Sequence, residues 1–216
     1  MSSYAVSIFL NHSILIAAII GIIRFKFISR IFRPFLFIIW LGLLNESLSL
    51  LIIYNAGGNT INSNVFVLLE YLLILLQFYL WNGTNKIYYV LAASSGIIVW
   101  LADNFILNTI TQNNSVFRIF SSFVILLFSI NQINKLIIYE HGRLIKNAIF
   151  IICITFLFYY GCKAFAETFN LFRLKINHVF LKNLWIALYF VNFIANMLYA
   201  VAIICIPTKQ EFTLPH

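Results

Sequence analysis

NVFVLLEYLLILLQFYLW, residues 64–81, decides the fold of this chain. The stretch is long enough to cross a bilayer as one helix, yet it carries Glu70 and Gln77. A carboxylate at bilayer depth costs about 2.5–3.5 kcal/mol on insertion scales, and more when unpaired. Glu70 is therefore expected to face other helices, where it stays neutral or finds a partner. Gln77 follows seven residues later, two turns along the same helical face. That face predicts the inside of a bundle.

The rest of the composition agrees. Of 216 residues, 62% are hydrophobic and only 9% charged. A soluble domain carries about 25% charged residues. This chain cannot cover itself with polar surface in water, so the lipid bilayer is its solvent. A net charge of +8 in a soluble chain points to nucleic acid. Here the basic residues fall between apolar segments and read as topology signals at a membrane surface, with no nucleic-acid partner. Cys153, Cys162 and Cys205 all lie in apolar runs, without CxxC spacing, and read as buried hydrophobes. The opening MSSYAVSIFLNHS lacks the basic n-region and A-x-A site of a cleaved signal peptide, so the first segment is expected to stay as a helix.

Taken in order, the chain predicts seven transmembrane spans in one all-α domain covering 1–216: about 4–23, 34–54, 64–81, 87–107, 116–138, 148–169 and 179–206. Pro34 sits in the first turn of the second span, where a helix accepts proline. The loop NAGGNTINSN, 55–64, is polar, uncharged and broken by Gly57 and Gly58. The third span ends at Asn82 and Gly83. AASSG, 92–96, gives the fourth span a patch suited to close helix–helix approach. NTITQNNS, 108–115, is a second uncharged loop, and KLIIYEHGRLIKN, 135–147, is a basic connection suited to the membrane surface.

Seven spans put the termini on opposite sides. With the N-terminus outside, the inner side holds nine basic residues: Arg24, Lys26, Arg30, Arg33, Lys86, Lys135, Arg143, Lys146 and Lys209. The outer side holds five, Arg118, Lys163, Arg173, Lys175 and Lys182, several of them inside or against helix ends. The positive-inside rule therefore predicts N-out, C-in. The basic inner connections at 24–33 and 135–146 offer a surface to a membrane or cytoplasmic partner protein.

Polar residues within the spans nominate the site. Glu46, Glu70, Asp103 and Glu167 fall within or at the edge of spans, and the helical rise places them in the outer half of the bundle. Lys163 lies one turn deeper than Glu167 and is its obvious i,i+4 partner. Lys182 lies about one turn into the last span. Asn192, Asn196 and Tyr199 share one face of the last span, with Ala195 permitting close approach. Tyr159 and Tyr160 lie deep enough to need a partner inside the bundle. Together these predict an outward-facing polar pocket for a cation, a basic or zwitterionic ligand, or a lipid headgroup. The alternative is that the same groups pair with one another and hold the helices together.

The sequence holds no HExxH, GxSxG, P-loop or GxGxxG motif, and its four histidines are scattered. Glu140 beside His141 is a poor acid–base pair, because adjacent residues on a helix point apart. No residue set specifies a cofactor or a metal. The spans lack internal proline and are poor in glycine, whereas transporters are marked by helices broken at the midplane. In its Ile/Phe/Leu-rich spans, in NVFVLLEYLL at 64–73 and in LWIALYFVNFIANMLYA at 184–200, the whole chain resembles small, uncharacterised seven-helix inner-membrane proteins of AT-rich bacteria. The resemblance implies a multi-pass protein of the bacterial inner membrane and transfers no activity and no site residue. The expectation is a sensor-like or receptor-like module, or an accessory subunit, that binds a small ligand or cation. A small cation or metabolite transporter or channel is the alternative, and a lipid-modifying enzyme is the least favoured.

Overall fold

A computed structural model describes residues 8–82, 86–139, 144–171 and 178–207. Residues 4–7 of the first predicted span, Gly83, Glu140 with its neighbour His141, Arg143, Arg173, Lys175, Lys209, Glu211 and His216 lie outside the described residues. The described chain is helical and contains no strand. Its helices are α1 (Ile14–Arg24), α2 (Arg33–Ala56), α3 (Thr60–Asn82), α4 (Lys86–Ala102), α5 (Ser115–Tyr139), α6 (Ala148–Leu171) and α7 (His178–Cys205). Helix α1 is preceded by a bend at His12 and Ser13 and a further helical turn from residue 8. Helix α4 runs on into a π-helical turn, Asp103–Leu107.

Six helices, α2 to α7, are long and apolar enough to cross a membrane, whereas the first, Ile8–Arg24, is apolar but shorter over its described part. Large apolar side chains cover the outside, among them Ile98, Leu101, Leu127 and Ile204. The bundle thus shows hydrocarbon-facing side chains outward and keeps polar groups inside, as lipid requires.

Each helix packs against the next in sequence, and α1 closes the ring by packing against α7 as well as α2. Helix α3 also touches α5, so it is drawn inward and α4 is displaced to the periphery. The approach of α4 depends on Gly96: any Cβ there runs into the Tyr71 ring, whose hydroxyl donates to the Ala92 carbonyl at 2.7 Å. The AASSG patch therefore does what its small residues predict. Gly57 ends α2 in the left-handed conformation, φ 72°, as a C-cap glycine does. Helix α3 then begins at Thr60, a turn earlier than the apolar pattern indicates. Its polar first turn, TINS, reads as loop by hydropathy but is drawn into the helix by tertiary bonds, with Asn62 donating to Asn45 of α2 at 2.9 Å.

The two ends of the bundle differ. At the end holding the turn 24–33, the Arg24 guanidinium donates to the carbonyls of Ile203 (2.7 Å), Ile204 and Ile206 (3.0 Å). It thereby caps the last turn of α7, where a helix leaves orphan carbonyls and favours a cation. Between this end and the middle lies an aromatic layer. Phe35 and Phe156 meet Tyr199 edge-on at 5.5 and 6.0 Å, and Phe78 packs against both Phe156 and Phe128. Phe35, Phe78 and Phe156 are fully buried. The polar half of the bundle begins above this layer.

Candidate functional site

Above the aromatic layer, α2, α3, α5, α6 and α7, together with the bend before α1, surround three adjoining cavities at the Asn-rich end. One is a small void of about 70 Å³ at Glu46, Glu70, Tyr159, Asn192, Asn196 and Tyr199. Two wider ones, about 290 and 280 Å³, lie beside it and share lining residues with it. One leads past Tyr159, Lys163, Arg118 and Glu167. The other leads past Asn11, His12, Ser49 and Tyr189. Glu46 lines all three, so its carboxylate stands at their junction.

Lys163 and Glu70 face each other across α6 and α3, with Nζ to Oε2 at 3.6 Å and side chains 8% and 13% exposed. The ammonium also lies 5.4 Å from the Tyr159 ring centroid and 5.3 Å from that of Tyr160. Aromatic faces stabilise a cation in such a place by about 0.5–2 kcal/mol. Glu167, one turn along α6, takes a different partner. It accepts from Ser115 (2.8 Å), Asn113 (3.1 Å) and Asn170 (3.2 Å) and lies 3.8 Å from Arg118. The local Lys163–Glu167 pair suggested by i,i+4 spacing is thus replaced by two pairs between helices. Both side chains face the bundle interior, and each finds an opposite charge on a neighbouring helix.

Arg118 is the member of this region that sequence reasoning missed, having been counted only as an outer topology charge. Its guanidinium donates to Asn114 (2.8 Å), Ser63 (2.8 Å) and Asn64 (3.3 Å), besides pairing with Glu167. Asn64 is wholly buried and donates to Asn104 (3.1 Å) and to the carbonyls of Ile110 (3.1 Å) and Gln112 (2.8 Å). The Trp100 indole donates to its carbonyl at 2.9 Å. The loop 108–114 is therefore a bonded part of the bundle end. Asn114 four residues before Arg118, in the first turn of an apolar span, was the signal available in sequence.

The remaining sequence candidates divide. Asn192, Asn196 and Tyr199 line one cavity together, as their common face predicts. They also hold helices: Asn192 donates to Asn11 at 3.2 Å, and Asn196 to the Ser13 hydroxyl at 2.9 Å. Asp103 lies apart from the cavities. Its two oxygens accept from the Asn108 side chain and the Phe117 amide, both at 2.8 Å, so it satisfies an orphan donor in the first turn of α5. Gln77 lies apart as well, toward the opposite end. It accepts from the Phe35 amide at 2.8 Å and donates to the Ile31 carbonyl at 2.7 Å, which fixes the start of α2. Lys182 is exposed on α7. Among the described residues no group of His, Cys, Asp and Glu has the arrangement of a metal site.

Glu46 differs from the other carboxylates in the bundle. Glu70 and Glu167 have cations within 4 Å, and Asp103 has two hydrogen-bond donors. Among the described residues no Lys, Arg or His nitrogen lies within ion-pair distance of Glu46. The Asn11 side chain donates a hydrogen bond to it, and the His12 imidazole lies nearby. Compared with family models, with curated proteins and with solved structures, the chain matches none.

Proposed function

We propose that this chain is a receptor-like membrane module that binds a small cationic ligand at Glu46, in a blind polar pocket entered from the Asn-rich face. The observation that carries the reading is the position of Glu46. It stands at the junction of the three cavities and, among the described residues, has no ion-pair partner. Its partial burial removes part of the water that otherwise solvates a carboxylate, so a bound ammonium or metal cation is attracted more strongly than at an exposed one. Asn11, Asn192 and Asn196 supply hydrogen-bonding groups around it, and Tyr159 and Tyr199 supply rings on which a cation rests. The aromatic layer of Phe35, Phe78, Phe156 and Tyr199 closes the lower side. A transport cycle has to open that layer, and the helices bordering it are unbroken.

The orientation belongs to the same reading. Arg118 and Lys163 are occupied in buried pairs, so two of the five outer basic residues are not surface charges. The imbalance of exposed charge then favours N-out, C-in more strongly, with the pocket facing the outside of a bacterial inner membrane. Ligand binding would be relayed to a partner chain at the basic inner turns around 24–33 and Lys135.

The test is thermal stability of the detergent-purified protein against a panel of amines and metal cations. A ligand at about a hundred times its Kd adds about 2.7 kcal/mol. For a chain of this size that is roughly 5–10 °C. The expected result is a shift with one class of cation that disappears in Glu46→Gln. No shift with any cation, or a shift that survives Glu46→Gln unchanged, overturns the reading.

A further inference from the structure

We infer that the ligand is a single-chain amphiphile with an amine-bearing head, the head at Glu46 and the chain in a groove on the lipid side of the α6–α7 seam. This rests on the pocket reading above and adds the class of ligand. The groove, of about 230 Å³, is lined by apolar side chains and Gly161, including Cys162 and Phe165 of α6 and Ala187 and Val191 of α7. A Cβ on Gly161 meets nothing within 4 Å, so the groove is open down to the backbone there.

Groove and polar cavity are two sides of one seam. Lys163 and Glu167 line the cavity, while their chain neighbours Cys162 and Ala166 line the groove. On α7, Trp185 lines the cavity, Leu184 the groove and Leu188 both. The two spaces meet at Leu188, which lines both. From 184 to 191 the groove follows α7 for about 10 Å, a length of alkyl chain rather than of a side chain. The charges in the cavity decide the head. Glu46, Glu70 and Glu167 face Lys163 and Arg118, so, with the neutral form of His12 beside Glu46, the three linings hold one more carboxylate than cation. One ammonium group balances it. A small free amine uses Glu46 and leaves the groove idle, and a neutral chain uses the groove and leaves Glu46 without a counter-charge. An amine on a chain uses both.

The experiment places the full chain in phosphatidylcholine nanodiscs with a sphingosine carrying a diazirine in its chain. A diazirine-bearing monoacylglycerol serves as the neutral-head control, and 2-amino-1,3-propanediol as the head without a chain. Light-induced labelling by the sphingosine probe is expected at Cys162, Phe165, Leu184 or Ala187. It should fall at least about tenfold in Glu46→Gln, as loss of one partner of a buried charge pair implies. Ala187→Trp fills the groove from the lipid-exposed side without touching the cavity. It should abolish labelling while keeping the thermal shift produced by 2-amino-1,3-propanediol. Labelling spread evenly over lipid-facing residues of α4 and α6, equal for both probes and unchanged in Glu46→Gln, overturns the inference and leaves the groove to bulk lipid. If 2-amino-1,3-propanediol still shifts the parent and not Glu46→Gln in that case, the pocket reading stands alone. If neither amine shifts the protein or labels it, both fall.

Discussion

Replacing Glu70 by glutamine tests whether the Lys163–Glu70 contact is a working buried ion pair. The two side chains are 13% and 8% exposed and their charged atoms stand 3.6 Å apart. Removing one partner of a buried pair costs about 3–5 kcal/mol, because the other charge is left uncompensated. Two features reduce the cost here. The Tyr159 and Tyr160 rings, at 5.4 and 5.3 Å, keep part of their hold on the ammonium. Glutamine also keeps a carbonyl oxygen near the lost carboxylate. The expected destabilisation of Glu70→Gln is therefore about 2–3 kcal/mol. At this chain length that lowers Tm by roughly 4–12 °C. Lys163→Met should cost less, because Glu70, lining a cavity, is the more exposed partner of the two. The double variant removes both charges and should recover about 2 kcal/mol of coupling relative to the sum of the singles. The measurement is a double-mutant cycle by unfolding in mixed detergent, repeated at low and high salt. A coupling that persists at high salt marks a pair shielded from solvent. Singles that add without coupling, or a Glu70→Gln protein as stable as the parent, refute the assignment.

Three further outcomes follow from particular contacts. Gln77→Leu leaves the Phe35 amide and the Ile31 carbonyl without their side-chain partner and should destabilise by about 2–4 kcal/mol in the same unfolding assay. Its amine-induced thermal shift should be unaltered, since Gln77 lies outside the cavities. Gly96→Ala forces the Tyr71 ring off α4 and should cost about 1–3 kcal/mol, read as a lowered Tm. Arg118→Leu leaves Glu167 without its cation and Asn64, Ser63 and Asn114 without a donor, and should cost about 3–5 kcal/mol. It should also speed proteolysis within the loop 108–114, which Asn64 ties to the bundle.

Much of the bundle could be read from residue order, because hydrophobic length and helical period are local properties. Apolar runs mark α2 to α7 to within a few residues, Gly57 marks the end of α2, and AASSG marks the close contact of α4 with α3. The inward face of α3 follows from Glu70 alone, since a carboxylate cannot stand in lipid. Period says which residues share a face and leaves open which helix meets that face. Gln77 shares a face with Glu70, yet two turns carry it past the aromatic layer to the start of α2. Lys163 could be assigned a partner on its own helix, but the one it takes is on α3. The polar first turn of α3 and the loop 108–114 look alike by hydropathy. They differ only in their tertiary bonds, and Asn64 and Arg118 make those bonds. Arg24 illustrates the same limit, since a surface topology charge and a cap on the last turn of α7 are the same residue in sequence.

The acidic residues inside the bundle, few as they are, sort themselves by what they touch. Asp103 is committed to the start of α5 through the Phe117 amide. Glu167 is committed to Arg118 and to Ser115, Asn113 and Asn170. Glu70 is committed to Lys163 beneath a pair of tyrosines. The two ion pairs could be replaced in principle by apolar packing, as buried pairs often can without loss of fold, whereas Asp103 is needed by a buried amide. Glu46 is held more lightly, by a hydrogen bond from Asn11 with His12 nearby and by no ion pair. It stands half-buried in the second span, which carries no other charged residue after Arg33, and costs stability without an ion pair to offset it. A half-buried carboxylate held by one amide and no cation leaves room for a charge that arrives. On the proposed reading, the cavities around it, the asparagines beside it and the aromatic layer below favour arrival from the Asn-rich end.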